Sequence, residues 1–325
     1  MVESAQIIKE NDEQMTREQI LNSVSLKKRF CKDYNLPITI YDNPYFYERL
    51  SAIDVMFDCI DKFDNFCRCL SNFESEQEYF EYYNEVKDRV IDYIKSNPAF
   101  ECFNGDVFDV KYNFPKNNLY VSQNDDCTFV SIDMRKANFS ALQHYDKAIF
   151  GGKETWEEFL GMFTDCSHIL QSKYIRQVIL GACNPKRQIT YEHYLMGKLL
   201  THIVENIPTI NVYSLGEDEI LIKVEKGCGY SKKQLQNVVS SCPEGIGSIV
   251  RIDIFDLHII KNTSGWMKVM YDDNGSIKFK CLEAETYHQI IKHYYGLPIT
   301  DNDLVFYHNG QLAKFLKEVD NPWEE

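Results

Sequence analysis

The sequence predicts an α+β protein in three parts: a helical N-terminal domain over residues 1–98, a β-α-β-β-α-β antiparallel sheet with helices on one face over 99–262, and a small α/β extension over 263–325. Three observations predict it. Apolar residues recur at helical spacing through 45–70 and 76–95. A short apolar run, Phe129-Val130-Ser131-Ile132, ends on Asp133 and is followed at once by a helical pattern. Over 212–224 two apolar strands flank a tight acidic turn, Gly216-Glu217-Asp218-Glu219.

Residues 1–20 are polar, with Thr16 and Gln19 spaced as a helix cap. Residues 36–41 read as a short extended piece ended by Asp42-Asn43-Pro44. Phe46, Leu50, Ile53, Phe57, Ile60, Phe63 and Phe66 then form the stripe of one helix over 45–70, and Tyr79, Phe80, Tyr83, Val86, Val90 and Ile94 that of a second over 76–95, stopped by Asn97-Pro98. Such stripes read as core. From Phe100 the texture changes to strand-like pieces at 107–110, 119–122 and 129–132. Asp125-Asp126 reads as a turn.

Helical patterns dominate after Asp133: Thr155 with Glu158 forms a capping box, 172–180 and 191–205 are periodic, and Asn184-Pro185 breaks between them. Strands return at 209–224, a turn at 227–229, a helix capped by Ser231 over 231–240, and a long strand over 249–260. The tail reads as a hairpin (266–271 and 277–282) turned by Asn274-Gly275, a helix over 285–295, and a strand-turn-helix piece around Asn309-Gly310.

The order from Phe129 is strand, helices, strand, strand, helix, strand, the split pattern of a ferredoxin-like sheet. In that pattern the end of the first strand falls beside the turn between the second and third. Asp133 and Asp218, far apart in the chain, are thereby expected at one sheet edge. A carboxylate at a strand end with more on a neighbouring hairpin suits a divalent metal held against a triphosphate, because hard cations take carboxylate and phosphate oxygens. An acidic hairpin turn is equally an ordinary solvated loop.

Thirty-five basic against forty-nine acidic residues give a net charge of −14. That balance disfavours non-specific coating of nucleic acid, which draws its affinity from Lys and Arg. It fits a small-molecule substrate or a protein partner. No run approaches a membrane span and no signal peptide is recognised, so a cytoplasmic protein is expected (host cytoplasm if phage-encoded). Eleven scattered cysteines without a C-x-x-C read as reduced, buried thiols and no zinc site. Gly151-Gly152-Lys153 lacks the spacing of a P-loop.

Ser131-Ile132-Asp133 together with Gly216-Glu217-Asp218-Glu219-Ile220-Leu221-Ile222 resembles the palm superfamily of nucleotidyltransferases, which includes polymerases and the GGDEF-type cyclases. The likeness covers about 130 residues from Phe129 onward. It departs from the family where Glu217 replaces the second Gly of the cyclase hairpin, where Arg135 replaces a second Asp on the first strand, and where Asn138 replaces an acid. The resemblance implies a palm-type, divalent-metal-dependent nucleotidyltransferase or nucleotide cyclase acting on a nucleoside triphosphate. It implies Asp133, Asp218 and Glu219 as the catalytic set, with Asp133, Glu217, Asp218 and Glu219 as ligands of Mg²⁺ or Mn²⁺. Arg135, Lys136, Arg176, Lys186 and Arg187 would bind the substrate phosphates. The alternative is a catalytically inactive, palm-like acidic protein that binds a protein partner. The general style of the chain is also similar to accessory proteins of T4-like phages.

Overall fold

The computed structural model describes residues 14–109, 111–224, 231–272 and 274–324. Six helices come first: α1 (Arg17–Asn22), α2 (Val24–Tyr34), α3 (Tyr45–Phe57), α4 (Cys59–Leu70), α5 (Glu76–Lys95) and α6 (Pro98–Gly105). Strand β1 (Cys127–Met134) leads into α7 (Ala137–Tyr145), α8 (Trp156–Leu160), α9 (Ser167–Gln171), α10 (Lys173–Gly181) and α11 (Pro185–Asn206). Then come β2 (Val212–Leu215), β3 (Glu219–Lys223), α12 (Lys232–Ser240), β4 (Val250–Ile259), β5 (Trp266–Met270), β6 (Ile277–Lys280), α13 (Tyr287–Tyr294), β7 (Val305–His308) and β8 (Gln311–Lys314).

Local chemistry sets many of these limits. Thr16 and Thr155 both make the expected capping boxes, with Gln19 and Glu158. The single helix expected over 45–70 is two, because Asp58 takes a left-handed conformation (φ 47°) that Asp tolerates better than most residues. Helix α11 starts at Pro185 itself, whose missing N–H costs nothing in the first turn. Around Asn309 and Gly310, both at positive φ, the chain folds into the β7–β8 hairpin, so a strand stands where a helix was expected. Residues 107–109 and 119–121 form no strand; the segment instead runs along β2 by isolated bonds, Leu215 N to Pro115 O (2.8 Å) and Asn117 N to Ser214 Oγ (3.1 Å). The expected 227–229 turn lies outside the described residues.

The main sheet has six antiparallel strands in the order β2-β3-β1-β4-β5-β6. It is therefore wider than the four strands expected, because the 266–280 hairpin continues it beyond β4 through pairs such as Phe255↔Met270. Side chains alternate between its faces. Val130, Ile132, Ile220, Ile222 and Val250 enter one large core shared with helices from both ends of the chain, including Phe30, Phe63 and Ile290. Phe129, Leu221, Phe255, Leu257 and Trp266 form a smaller apolar cluster on the other face, partly covered by Leu119 and Tyr120.

The expectation of wholly reduced thiols is corrected. Cys69 of α4 and Cys166, just before α9, are joined by a disulfide with their Cα atoms 5.9 Å apart. They are 97 positions apart in sequence, and only the packing of α4 against α9 brings them together. Among the described residues the other cysteines are free, and no helix is long and apolar enough to cross a membrane.

Candidate functional site

The C-terminal end of β1 opens into a cavity of about 650 Å³. Its floor is the β1 end with the β2–β3 turn, and its walls come from the start of α7, α10 and the first two turns of α11. Acids and bases both face it: Asp133, Asp218 and Glu192 against Arg135, Lys136, Lys173, Arg176 and Arg251.

Register explains why these residues meet. Asp133 stands opposite Glu219 on one side and Arg251 on the other. The N–H of Met134 donates to the carbonyl of Asp218 (2.9 Å), which clamps the acidic turn against the strand end. The Gly216 N–H donates to Glu219 O (2.8 Å), closing the turn, and His193 Nδ1 lies 3.0 Å from Gly216 O.

The four acids of the expected metal set fall into different surroundings. Asp133 lines the cavity but is ion-paired to Arg251 (2.6 Å), which also reaches Asp253 (3.6 Å). Asp218 lines the cavity unpaired among the described side chains, and burial, then the charge of Asp133, raises its pKa above the usual carboxylate value. Glu217 points to Lys116 (2.7 Å), whose hydrogen bond lowers its pKa. Glu219 accepts from Ser131 Oγ (2.5 Å) on the sheet face. Neither Glu217 nor Glu219 is in the cavity wall.

The five basic residues also divide. Arg135, Lys136 and Arg176 line the cavity. Lys136 sits at positive φ as the cap of α7 and bonds both Glu157 oxygens at 2.6 Å. No side chain caps α7, so its first N–H groups, at Ala137 and Asn138, lie at the cavity wall, where a helix N-terminus favours negative charge. Arg176 has its Nε buried with no hydrogen-bond partner, and burial lowers its pKa. Lys186 is exposed outside the cavity wall. Arg187 spends its donors on the carbonyls of Phe103 and Asp106 and stacks on Phe103 and Phe108, as a brace between α11 and the α6 end.

Two charged cavity residues, Lys173 and Arg251, were not read as site residues from the sequence, and Glu192 was read only as able to face the acidic cluster from its helix, with no role assigned. Arg251 is recognisable only once β4 is known to pair with β1 in that register. Lys173 lies in the first turn of α10, a position that sequence periodicity leaves unremarkable. Glu192 is buried on α11, and burial, then Asp218 and Glu217, pushes its pKa up to about 7.

Among the described residues, one set of three metal-ligating side chains has its ligand atoms all within 4.8 Å of one another, and it is elsewhere: Asp125, Asp126 and His258, at the opposite end of β1. His258 Nδ1 lies 2.8 Å from Asp126 Oδ1, and Asp125 accepts from the Ile259 N–H (2.8 Å), so these contacts already account for the arrangement. No family model, curated protein or solved structure matches the chain.

Proposed function

We propose that the chain is a palm-type, divalent-metal-dependent nucleotidyltransferase or nucleotide cyclase that takes a nucleoside triphosphate in the cavity at the end of β1. One observation carries the reading: Asp133 and Asp218 share a cavity with Arg135, Lys136, Lys173 and Arg176 and with the uncapped start of α7. Carboxylates on one side and cations with free N–H groups on the other suit a metal–triphosphate complex. The strand order β2-β3-β1-β4, with helices between β1 and β2 and between β3 and β4, supports a ferredoxin-like core to which β5 and β6 are added.

In this reading Asp218, and Asp133 once released from Arg251, hold Mg²⁺ or Mn²⁺. The ion when bound neutralises charge on the α-phosphate and activates the attacking hydroxyl. Lys173 and Arg176 fix the outer phosphates, and Arg176 Nε gains the acceptor it lacks. Thermal unfolding with Mg²⁺ or Mn²⁺ and each nucleoside triphosphate tests this. Ligand at about a hundredfold over Kd adds roughly 2.7 kcal/mol, or about 3–6 °C in Tm. The shift should need both metal and nucleotide and vanish in Asp218→Asn. A wild-type protein with no shift from any pair of ligands abandons the reading.

The Asp133–Arg251 pair favours a second reading, in which the sheet is a catalytically inactive scaffold for a protein partner. There Arg251 occupies the carboxylate a metal would need. Arg251→Ala separates the two: it should tighten Mn²⁺ binding if the pair masks a metal ligand, and leave it unchanged if the pair is only a strut.

A further inference from the structure

Helix α11 carries two buried polar residues one turn apart, Gln188 and Glu192, on the side that faces the cavity. Gln188 is satisfied: its Nε2 donates to the carbonyls of Leu180 (2.8 Å) and Cys183. Glu192 is not. It is only 6% exposed, and among the described residues no hydrogen bond or ion pair reaches its carboxylate. Its charged neighbours are Asp218 and Glu217, which are both acids. A largely buried carboxylate that opens on a cavity among like charges is costly to ionise unless a cation joins it. Arg251, Lys136 and Lys116 are paired with Asp133, Glu157 and Glu217, and although Arg135, Lys173 and Arg176 line the same cavity, none of them is ion-paired to Glu192.

We infer that Glu192 is a ligand of a divalent cation bound in this cavity, joining Asp218 in the place that Glu219 and Glu217 were expected to fill. Hard divalent cations take several oxygen ligands, and Asp218 with Glu192 supplies unpaired carboxylate oxygens from two separate elements, the β2–β3 turn and α11. Glu219 lies outside the cavity wall, with its Oε1 accepting from Ser131 on the sheet face. The inference rests on the metal-binding half of the proposed function and needs no nucleotide.

Mn²⁺ alone is therefore the probe. Loss of the free-Mn²⁺ paramagnetic resonance signal is titrated on the full chain for wild type, Glu192→Gln, Glu192→Asp, Glu219→Gln and Glu217→Gln, each checked for fold by circular dichroism. Glu192→Gln should weaken binding by tenfold or more, Glu192→Asp by less, and Glu219→Gln and Glu217→Gln by under twofold. Unchanged binding in Glu192→Gln overturns the inference and leaves Glu192 a protonated buried acid. Wild type that binds no Mn²⁺ at millimolar concentration overturns it as well. Should Glu192→Gln not fold, wild-type-like binding by Glu192→Asp together with loss in Glu219→Gln overturns it. Tight Mn²⁺ binding that depends on Glu192, without any triphosphate effect on Tm, keeps this inference and removes the nucleotidyltransferase reading. A Tm shift that needs both metal and triphosphate but is unchanged in Glu192→Gln keeps the nucleotidyltransferase reading and removes this inference.

Discussion

Asp303 and Glu192 are both buried carboxylates, and their surroundings treat them in opposite ways. Asp303, 1% exposed between α13 and β7, receives Lys292 Nζ (2.6 Å), the Thr300 N–H and Oγ1 (2.7 and 2.8 Å), and Arg49 Nη1 (3.3 Å). Burial works to raise its pKa, but the Lys292 and Thr300 bonds hold it below the usual carboxylate range. Glu192 has burial without such donors among the described residues, and its pKa rises to about 7. The first arrangement is finished as protein, tying the C-terminal segment to α3. The second has no counter-ion or hydrogen-bond donor among the described residues.

The sharpest way to break that contrast is to remove Asp303. Asp303→Ala leaves buried Arg49 and half-buried Lys292 without their counter-ion, and should cost about 3–5 kcal/mol, read as a fall in Tm of roughly 4–7 °C. A fall of only a degree or two would mean that the C-terminal segment is held by apolar contacts instead. Glu192→Gln should act in the other direction. In chelator at pH 8 it removes a buried unpaired charge and should stabilise by roughly 1–3 kcal/mol.

The pH dependence separates the two sites by sign. Glu192 has a folded pKa above its ordinary 4.5, so folding takes up a proton between there and about 7. Its contribution is greatest at low pH and is lost as pH rises through about 7. The advantage of Glu192→Gln should therefore grow from pH 5 to pH 8. His288 is the reverse case. Burial, reinforced by Arg49, lowers its pKa below the ordinary 6.5, so the unfolded chain protonates first. Its contribution is present above about 6.5 and is lost as pH falls, which Tm measured between pH 7 and pH 4 in His288→Gln against wild type will show as a smaller acid loss in the variant. The smallest effect belongs to a third carboxylate, Glu217, whose partner Lys116 is largely in solvent. Lys116→Ala should change stability by less than about 1 kcal/mol, and a larger change would place the acidic turn among the supports of the fold.

The sequence made β1, the β2–β3 turn and the meeting of Asp133 with the acidic turn legible, because strand alternation and a short turn are local signals. Capping at Thr16, Thr155 and Ser231 was legible for the same reason. What it hid depends on partners distant in the chain. Arg251 reaches Asp133 only through sheet register, and Cys69 reaches Cys166 only through helix packing. The apolar pieces at 107–110 and 119–122 look like strands by composition, but a strand also needs a free edge with matching register, and β2 offers this segment only scattered bonds. Glu192 was visible on its helix. Its significance lies in missing hydrogen bonds, which no residue pattern reports.

Arg49 holds the carbonyls of Asn302 (2.8 Å) and Val305 (3.0 Å) as well as the Asp303 carboxylate. As the chain leaves the ribosome, α3 is complete about 250 residues before these acceptors exist. Until then the Arg49 guanidinium lacks the three acceptors it holds in the folded chain. The N-terminal helices can gather early, but closing α3 over Arg49 waits for almost the last part of the chain, so a ribosome stalled before residue 303 would carry α3 with this surface still open.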